Sequence, residues 1–172
     1  YDATIGVDYS ARTVCINNEA MVKCQLWDTA GQENFAPLIK SYYKDIAAVL
    51  LVYDVNCRHS FQRLSFWVNE LNNNGPTDYP VSKMLIGNKI DLDSRKVSRE
   101  EAEDFALKNG FMYNEISVKN DINVDESLLE LVQDAYKHRE NCRGFKSSEL
   151  NYLDLKQKSK TVKDRDFCCC IC

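Results

Sequence analysis

Ala47-Ala48-Val49-Leu50-Leu51-Val52-Tyr53-Asp54-Val55 is apolar almost without a break. A strand with hydrophobic side chains on both faces is buried on both, which implies a parallel sheet covered by helices on either side. Val81 to Gly87 repeats the signal and runs into Asn88-Lys89-Ile90-Asp91. Phe111 to Ile116 is the next strand and ends at Ser117-Val118-Lys119.

Helical patterns separate these strands. Ser60 is expected to cap a helix with Phe61, Leu64, Val68 and Leu71 on one face, close to a 3.6-residue period. Asn72-Asn73-Asn74-Gly75-Pro76 ends it. Ser98 with Glu101 forms a capping box, and Gly110 is a stop for that helix. Asn123 with Glu126 opens a last helix, whose face carries Leu128, Leu131, Val132 and Ala135.

Upstream, residues 1–9 lead into a strand through Val14–Ile16, and Asn17-Asn18-Glu19 reads as a hairpin turn. Val22 to Trp27 is the returning strand and delivers Asp28 to the sheet's end. Pro37 to Asp45 has helical spacing, with Tyr42 and Tyr43 as packing residues. Strands alternating with helices imply an α/β, doubly wound, mostly parallel sheet. Ligands bind such sheets beyond the carboxyl ends of the strands. The polar motifs at 28–32, 88–91 and 117–119 all fall there.

Each motif has a chemistry. Asp28 can hold a magnesium-bound water, since Mg²⁺ prefers oxygen ligands and keeps much of its hydration. Gly31 lets a backbone N–H approach a terminal phosphate. The Gln32 amide can orient a water for attack on that phosphate, and Thr4 is the candidate for direct magnesium coordination through its hydroxyl. Asp91 can accept two parallel hydrogen bonds from the N1–H and 2-amino group of guanine. Adenine lacks both donors, and a site that leaves a buried acceptor unpaired can reject it roughly 10⁴–10⁵-fold. The stem of Lys89 can lie across the base, Asn88 would tie neighbouring loops together, and Ser117-Val118-Lys119 would offer a backbone N–H to the guanine O6, with Lys119 covering the base's other side. Four polar residues after a strand also form ordinary loops, but the pairing of 88–91 with 117–119 argues for GTP/GDP. No Arg sits in an obvious position to act in cis, so slow turnover with outside help is expected.

The 172 residues carry a net charge of −4, unevenly spread. Residues 1–140 hold 15 Lys and Arg against 22 Asp and Glu, while residues 141–172 hold seven against four. A basic tail on an acidic domain points to an anionic surface. Half of the eight cysteines lie in the last five residues, unlike the spread of a disulfide framework. Adjacent thiols without a nearby His suit a metal knuckle poorly. The sequence divides into a domain at 1–140 and a flexible tail at 141–172.

With these residues placed, the sequence resembles the Rab branch of the Ras-like small GTPases over roughly residues 1–140. Asp28-Thr29-Ala30-Gly31-Gln32, Asn88-Lys89-Ile90-Asp91 and Ser117-Val118-Lys119 look like the shared GTPase boxes. The Rab-like stretches are Ile5-Gly6-Val7-Asp8-Tyr9, Lys23 to Trp27, Tyr42-Tyr43, Leu51-Val52-Tyr53-Asp54 and Ser60-Phe61. Val118 stands where the family has Ala, Ile116 where it has Thr, and Asn34 where Arg is typical.

The resemblance implies a GTP/GDP switch with Mg²⁺, recruited to the cytoplasmic face of vesicles and organelles, with a cytosolic pool. It implies exchange factors, GTPase-activating proteins, effectors and a prenyl-binding recycling chaperone as partners, with the protein a monomer and no nucleic acid bound. It also implies geranylgeranyl groups on Cys170 and Cys172. One lipid chain anchors weakly and two anchor firmly, at about 0.8 kcal/mol per buried CH₂. The sequence contains no G-x-x-x-x-G-K-[ST] motif. In the family that loop lies upstream of the position of Thr4, between a mid-sheet strand and a helix. The expectation is therefore an N-terminally truncated chain lacking first strand, P-loop and first helix, with a central gap in its sheet, weak GTP binding and marginal stability. A lipid-tethered pseudo-GTPase, presenting the surfaces without the chemistry, is the alternative.

Overall fold

The computed structural model describes residues 6–17, 20–32, 37, 40–142 and 165–171. Strands β1 (Val7–Ile16) and β2 (Ala20–Thr29) form an antiparallel hairpin, with Val14 opposite Val22. The expected turn residues Asn18 and Glu19 lie outside the described residues. β3 (Ala48–Asp54), β4 (Ser82–Asn88) and β5 (Met112–Glu115) follow as parallel neighbours. Between them run helices α1 (Arg58–Asn74), α2 (Arg99–Asn109) and α3 (Val124–Cys142).

A sixth strand, β6 (Arg165–Ile171), stands in mid-sheet, giving the order β1-β2-β6-β3-β4-β5. It runs parallel to β2 from Val22↔Arg165 to Asp28↔Ile171, and to β3 from Ala48↔Cys169 to Leu50↔Ile171. Two expectations change here. The central gap is closed, and residues 165–171 are a strand rather than part of an irregular tail. Unpaired backbone groups between two helix-covered halves of a sheet are costly, and an extended segment in the slot satisfies them.

The core lies on both faces of the sheet. On one, Phe61, Leu64, Trp67, Val68 and Leu71 of α1 and Ala102 and Ala106 of α2 pack on Leu51, Tyr53 and Leu85. On the other, Leu131, Val132 and Ala135 of α3 meet Val22, Leu50, Met84 and Ile86. Alternate residues of β3 thus serve opposite cores, as the pleat requires. The fold is the α/β, doubly wound architecture expected. Of the helix signals, Ser98 caps α2 by accepting from Glu101 N at 3.2 Å, and Gly110 closes it in the left-handed conformation at φ 70°. Glu101 completes no capping box; its carboxylate takes Arg58 instead. Ser60 does not cap α1. The cap position is Cys57, and the Ser60 hydroxyl lies one turn in, donating to Cys57 O at 2.8 Å.

The helical spacing from Pro37 yields a short 3-10 helix, Lys40–Asp45. Tyr43 is buried, and Tyr42 stacks obliquely on Trp27, which in turn meets Tyr9, at centroid distances of 5.2 and 4.8 Å. No described helix is long and apolar enough to cross a membrane.

Gly87 of β4 marks the tightest packing at the sheet's carboxyl end. A Cβ there would lie 2.9 Å from Val55 Cγ1 and 3.0 Å from Tyr53 Oη. Gly87→Ala should therefore lower stability by about 1–3 kcal/mol, read as a fall in the urea midpoint at unchanged slope.

Candidate functional site

The carboxyl ends of β2, β3 and β4, with the loop after β5, bring together residues far apart in sequence. Asn88 ends β4, and its Oδ1 accepts from Lys89 N at 2.7 Å and from Val118 N at 3.3 Å. One side chain thus fastens the 88–91 loop to the 117–119 loop. Lys89 sits at φ 66°, a left-handed conformation uncommon for a residue with a Cβ. The bond from its N–H to Asn88 supports that turn. Backbone bonds from Ile116 N to Gly87 O at 2.8 Å and from Ile90 N to Ile116 O at 3.4 Å join the loops further.

Asp91 points into this junction. Its side chain is only 6% exposed, so its lone pairs must be met by protein or ligand. Ser117 Oγ donates to Oδ1 at 2.6 Å, and Lys119 Nζ lies 4.0 Å from Oδ2. The Ser117 hydroxyl bond is the main reason the Asp91 carboxyl is held below its ordinary range. Ser117 Oγ also accepts from Asn120 N at 3.1 Å, and Ser117 and Ile122 exchange backbone bonds. The result is a loop locked around an ionised carboxylate. Such a group, with acceptor capacity left on both oxygens, fits a ligand edge with two adjacent N–H donors. Val118 is 61% exposed, so its valine side chain adds no obstruction inside the loop.

Sequence reasoning did not find the pair beside it. Lys89 Nζ lies 2.7 Å from Asp54 Oδ2 at the end of β3. Burial raises the affinity of Asp54 for a proton, but Lys89 and the Asn56 amides outweigh it and leave the carboxyl lowered. Asn56 Nδ2 also donates to Lys89 O at 2.9 Å, and Ser94 Oγ to Asn56 Oδ1 at 3.1 Å. The Lys89 head is thus directed to β3. Below this rim, Tyr53 and Tyr113 hydroxyls meet at 3.1 Å, Tyr113 donates to Glu115 at 2.7 Å, and Arg95 grips Glu115 at 2.7 and 3.0 Å.

The 28–32 motif occupies the end of β2. Asp28 is exposed and pairs with Asp8 across the hairpin and Ile171 across β6. Gly31 and Gln32 are exposed, with open space around Gly31. Arg63 of α1 donates to Gly31 O at 2.5 Å, a neighbour that no local pattern signals. Thr4, the expected magnesium ligand, lies outside the described residues, as do Cys172 and Asn34. Among the described residues there is no cluster of three metal-ligating side chains. Mg²⁺ in phosphate sites takes one or two protein oxygens together with phosphate and water, so the donor set fits such a shared site and not an all-protein cage.

The model of the Ras family matches residues 1–137. The chain belongs to the Ras family. Within this family it is a Rab-like small GTPase. It is 40% identical over 151 residues to the Ras-related protein Rab-2B of Dictyostelium discoideum, an alignment covering 87% of this chain and 73% of that protein.

In this small GTPase, Ser117→Ala removes the hydroxyl that favours the Asp91 carboxylate. The native carboxyl is depressed, so the interaction stabilises the fold above aspartate's ordinary pKa and is lost as pH falls through the lower native value. The variant should show the Asp91 carboxyl titrating at higher pH by NMR and a lower urea midpoint near neutrality than the parent protein.

Proposed function

We propose that this protein is a guanine-nucleotide switch that binds GTP and GDP with Mg²⁺ and hydrolyses GTP. The observation that carries the reading is the locked Asn88–Asp91–Ser117 junction, which holds an ionised carboxylate at the rim where α/β sheets bind ligands. Asp91 would read the guanine edge, the Lys89 stem and Lys119 would flank the base, and Asn88 holds both loops in place. Asp28 with Thr4 would hold Mg²⁺, which supplies charge neutralisation at the phosphates when bound. Gly31 would contact the terminal phosphate, and Gln32 would orient the attacking water. A switch of this kind orders its loops around the terminal phosphate and relaxes when it is lost.

The Rab-like membership supports a role in vesicle-mediated transport at the cytoplasmic face of intracellular membranes. Cys170 and Cys172 are the geranylgeranyl-bearing residues of this reading. Exchange factors, activating proteins, effectors and a prenyl-binding chaperone are the partners it requires.

A second reading is a lipid-tethered interaction module without nucleotide. It is favoured by β6, a strand from the chain's own tail that closes the sheet beside Asp28.

Calorimetric titration with GDP and ADP in Mg²⁺ separates the two. The switch reading expects GDP to bind with a preference over ADP that falls at least about tenfold in Asp91→Asn. Equal, negligible heats for both nucleotides would establish the module reading instead.

A further inference from the structure

Helix α1 brings a guanidinium to the 28–32 motif across 32 positions of sequence. The helix lays Phe61, Leu64, Trp67, Val68 and Leu71 into the core, so its backbone is a fixed platform. Arg63 stands on it one turn before Trp67. Its Nη2 donates to Gly31 O at 2.5 Å, and its Nε is shielded from solvent. A planar, permanently charged donor held partly out of water makes a strong and directional bond to a carbonyl.

A second bond acts on the other side of Gly31. Ala30 is fully buried, and its N–H donates to Gly6 O at 2.9 Å. The peptide joining Thr29 to Ala30 is thus fixed from the start of the hairpin, and the peptide joining Gly31 to Gln32 is fixed from α1. Between them lies the peptide that carries the Gly31 N–H. Anchors on both sides set its orientation. Gly31 does not have a positive φ, and a Cβ there would meet nothing within 4 Å among the described residues. The described fold therefore makes no demand for glycine at 31, whereas close approach of a ligand to that N–H does.

We propose that Arg63 is a positioning residue for recognition of the terminal phosphate: by holding Gly31 O it sets the orientation in which the Gly31 N–H meets that phosphate. The proposal deepens the switch reading above and rests on it for the ligand. Arg63 acts through the Gly31–Gln32 peptide, and the same bond fixes where the Gln32 side chain begins. GDP has no phosphate for the Gly31 N–H to meet. The effect of Arg63 therefore falls on GTP and spares GDP, which separates it from a residue that merely supports the fold.

Arg63→Met keeps an apolar stem on α1 and removes the donors. Carbonyl-carbon NMR of the full chain tests the anchor. Calorimetric titration with GDP and with a non-hydrolysable GTP analogue in Mg²⁺ tests the role. The Gly31 carbonyl resonance should move upfield in the variant, because an accepted hydrogen bond deshields the carbonyl carbon. The ratio of triphosphate to GDP affinity should fall about five- to tenfold, with GDP affinity unchanged within about twofold. An unmoved Gly31 resonance overturns the anchor and the role with it. An equal affinity ratio in variant and wild type, with GDP bound by both, overturns the role and leaves the switch reading standing. Equal weakening of both nucleotides assigns Arg63 to general support of the fold and also overturns the role. Failure of the wild type to bind either nucleotide overturns the switch reading and the phosphate role together, and a shifted Gly31 resonance then upholds the anchor alone.

Discussion

Backbone pairing in mid-sheet is the constraint on which the other features depend. The hairpin β1–β2 carries Asp28, while β3, β4 and β5 carry the junction around Asp91. Within the sheet, the link between these two halves is β6, laddered to Val22–Asp28 on one side and Ala48–Leu50 on the other. One of the two cores spans the same region, because Val22 and Leu50 share a cluster with Met84 and the α3 residues Leu131 and Val132. A bidentate ion pair from Arg12 of β1 to Asp125 of α3, at 2.5 and 2.9 Å, adds a surface tie between hairpin and body. Both side chains are more than half exposed, so its contribution is small beside that of the ladder.

The junction at the other end of the sheet is held by side chains rather than by a ladder. Asn88 is short enough to bond its own loop and reach the next. Ser117 is buried and bonds both a carboxylate and a backbone N–H. Removing either leaves more than one polar group unmet, so the two loops move as a unit or not at all. The left-handed Lys89 belongs to this arrangement: the turn that strains its backbone also aims its ammonium at Asp54.

Much of this was legible in the sequence, for identifiable reasons. β3 and β4 announce themselves because burial on both faces removes polar residues from the strand. The motifs at 88–91 and 117–119 are legible because their chemistry is local to a few residues. β1 was legible only in part. Most of its residues are exposed, so no alternation marks its start at Val7. Ser60 misled because its hydroxyl bonds backbone inside the first turn, a choice that propensity does not register. The Asp54–Lys89 pair and the Arg63–Gly31 bond join residues 35 and 32 positions apart, and no local pattern records them. β6 was least legible. Asp-Phe-Cys-Cys-Cys-Ile after a polar stretch reads as a tail, and a parallel partner more than a hundred residues away leaves no periodic trace at either end.

The direction of β6 has a geometric consequence. Because it runs parallel to β2 and β3, it points the same way as every strand that ends at the ligand rim. Ile171 therefore draws level with Asp28, and Cys170 with Trp27. Asp28 at the end of β2 and Ile171 are neighbours in space, although the sequence sets them some 140 residues apart. In this arrangement the 28–32 motif and Cys170 share one end of the sheet.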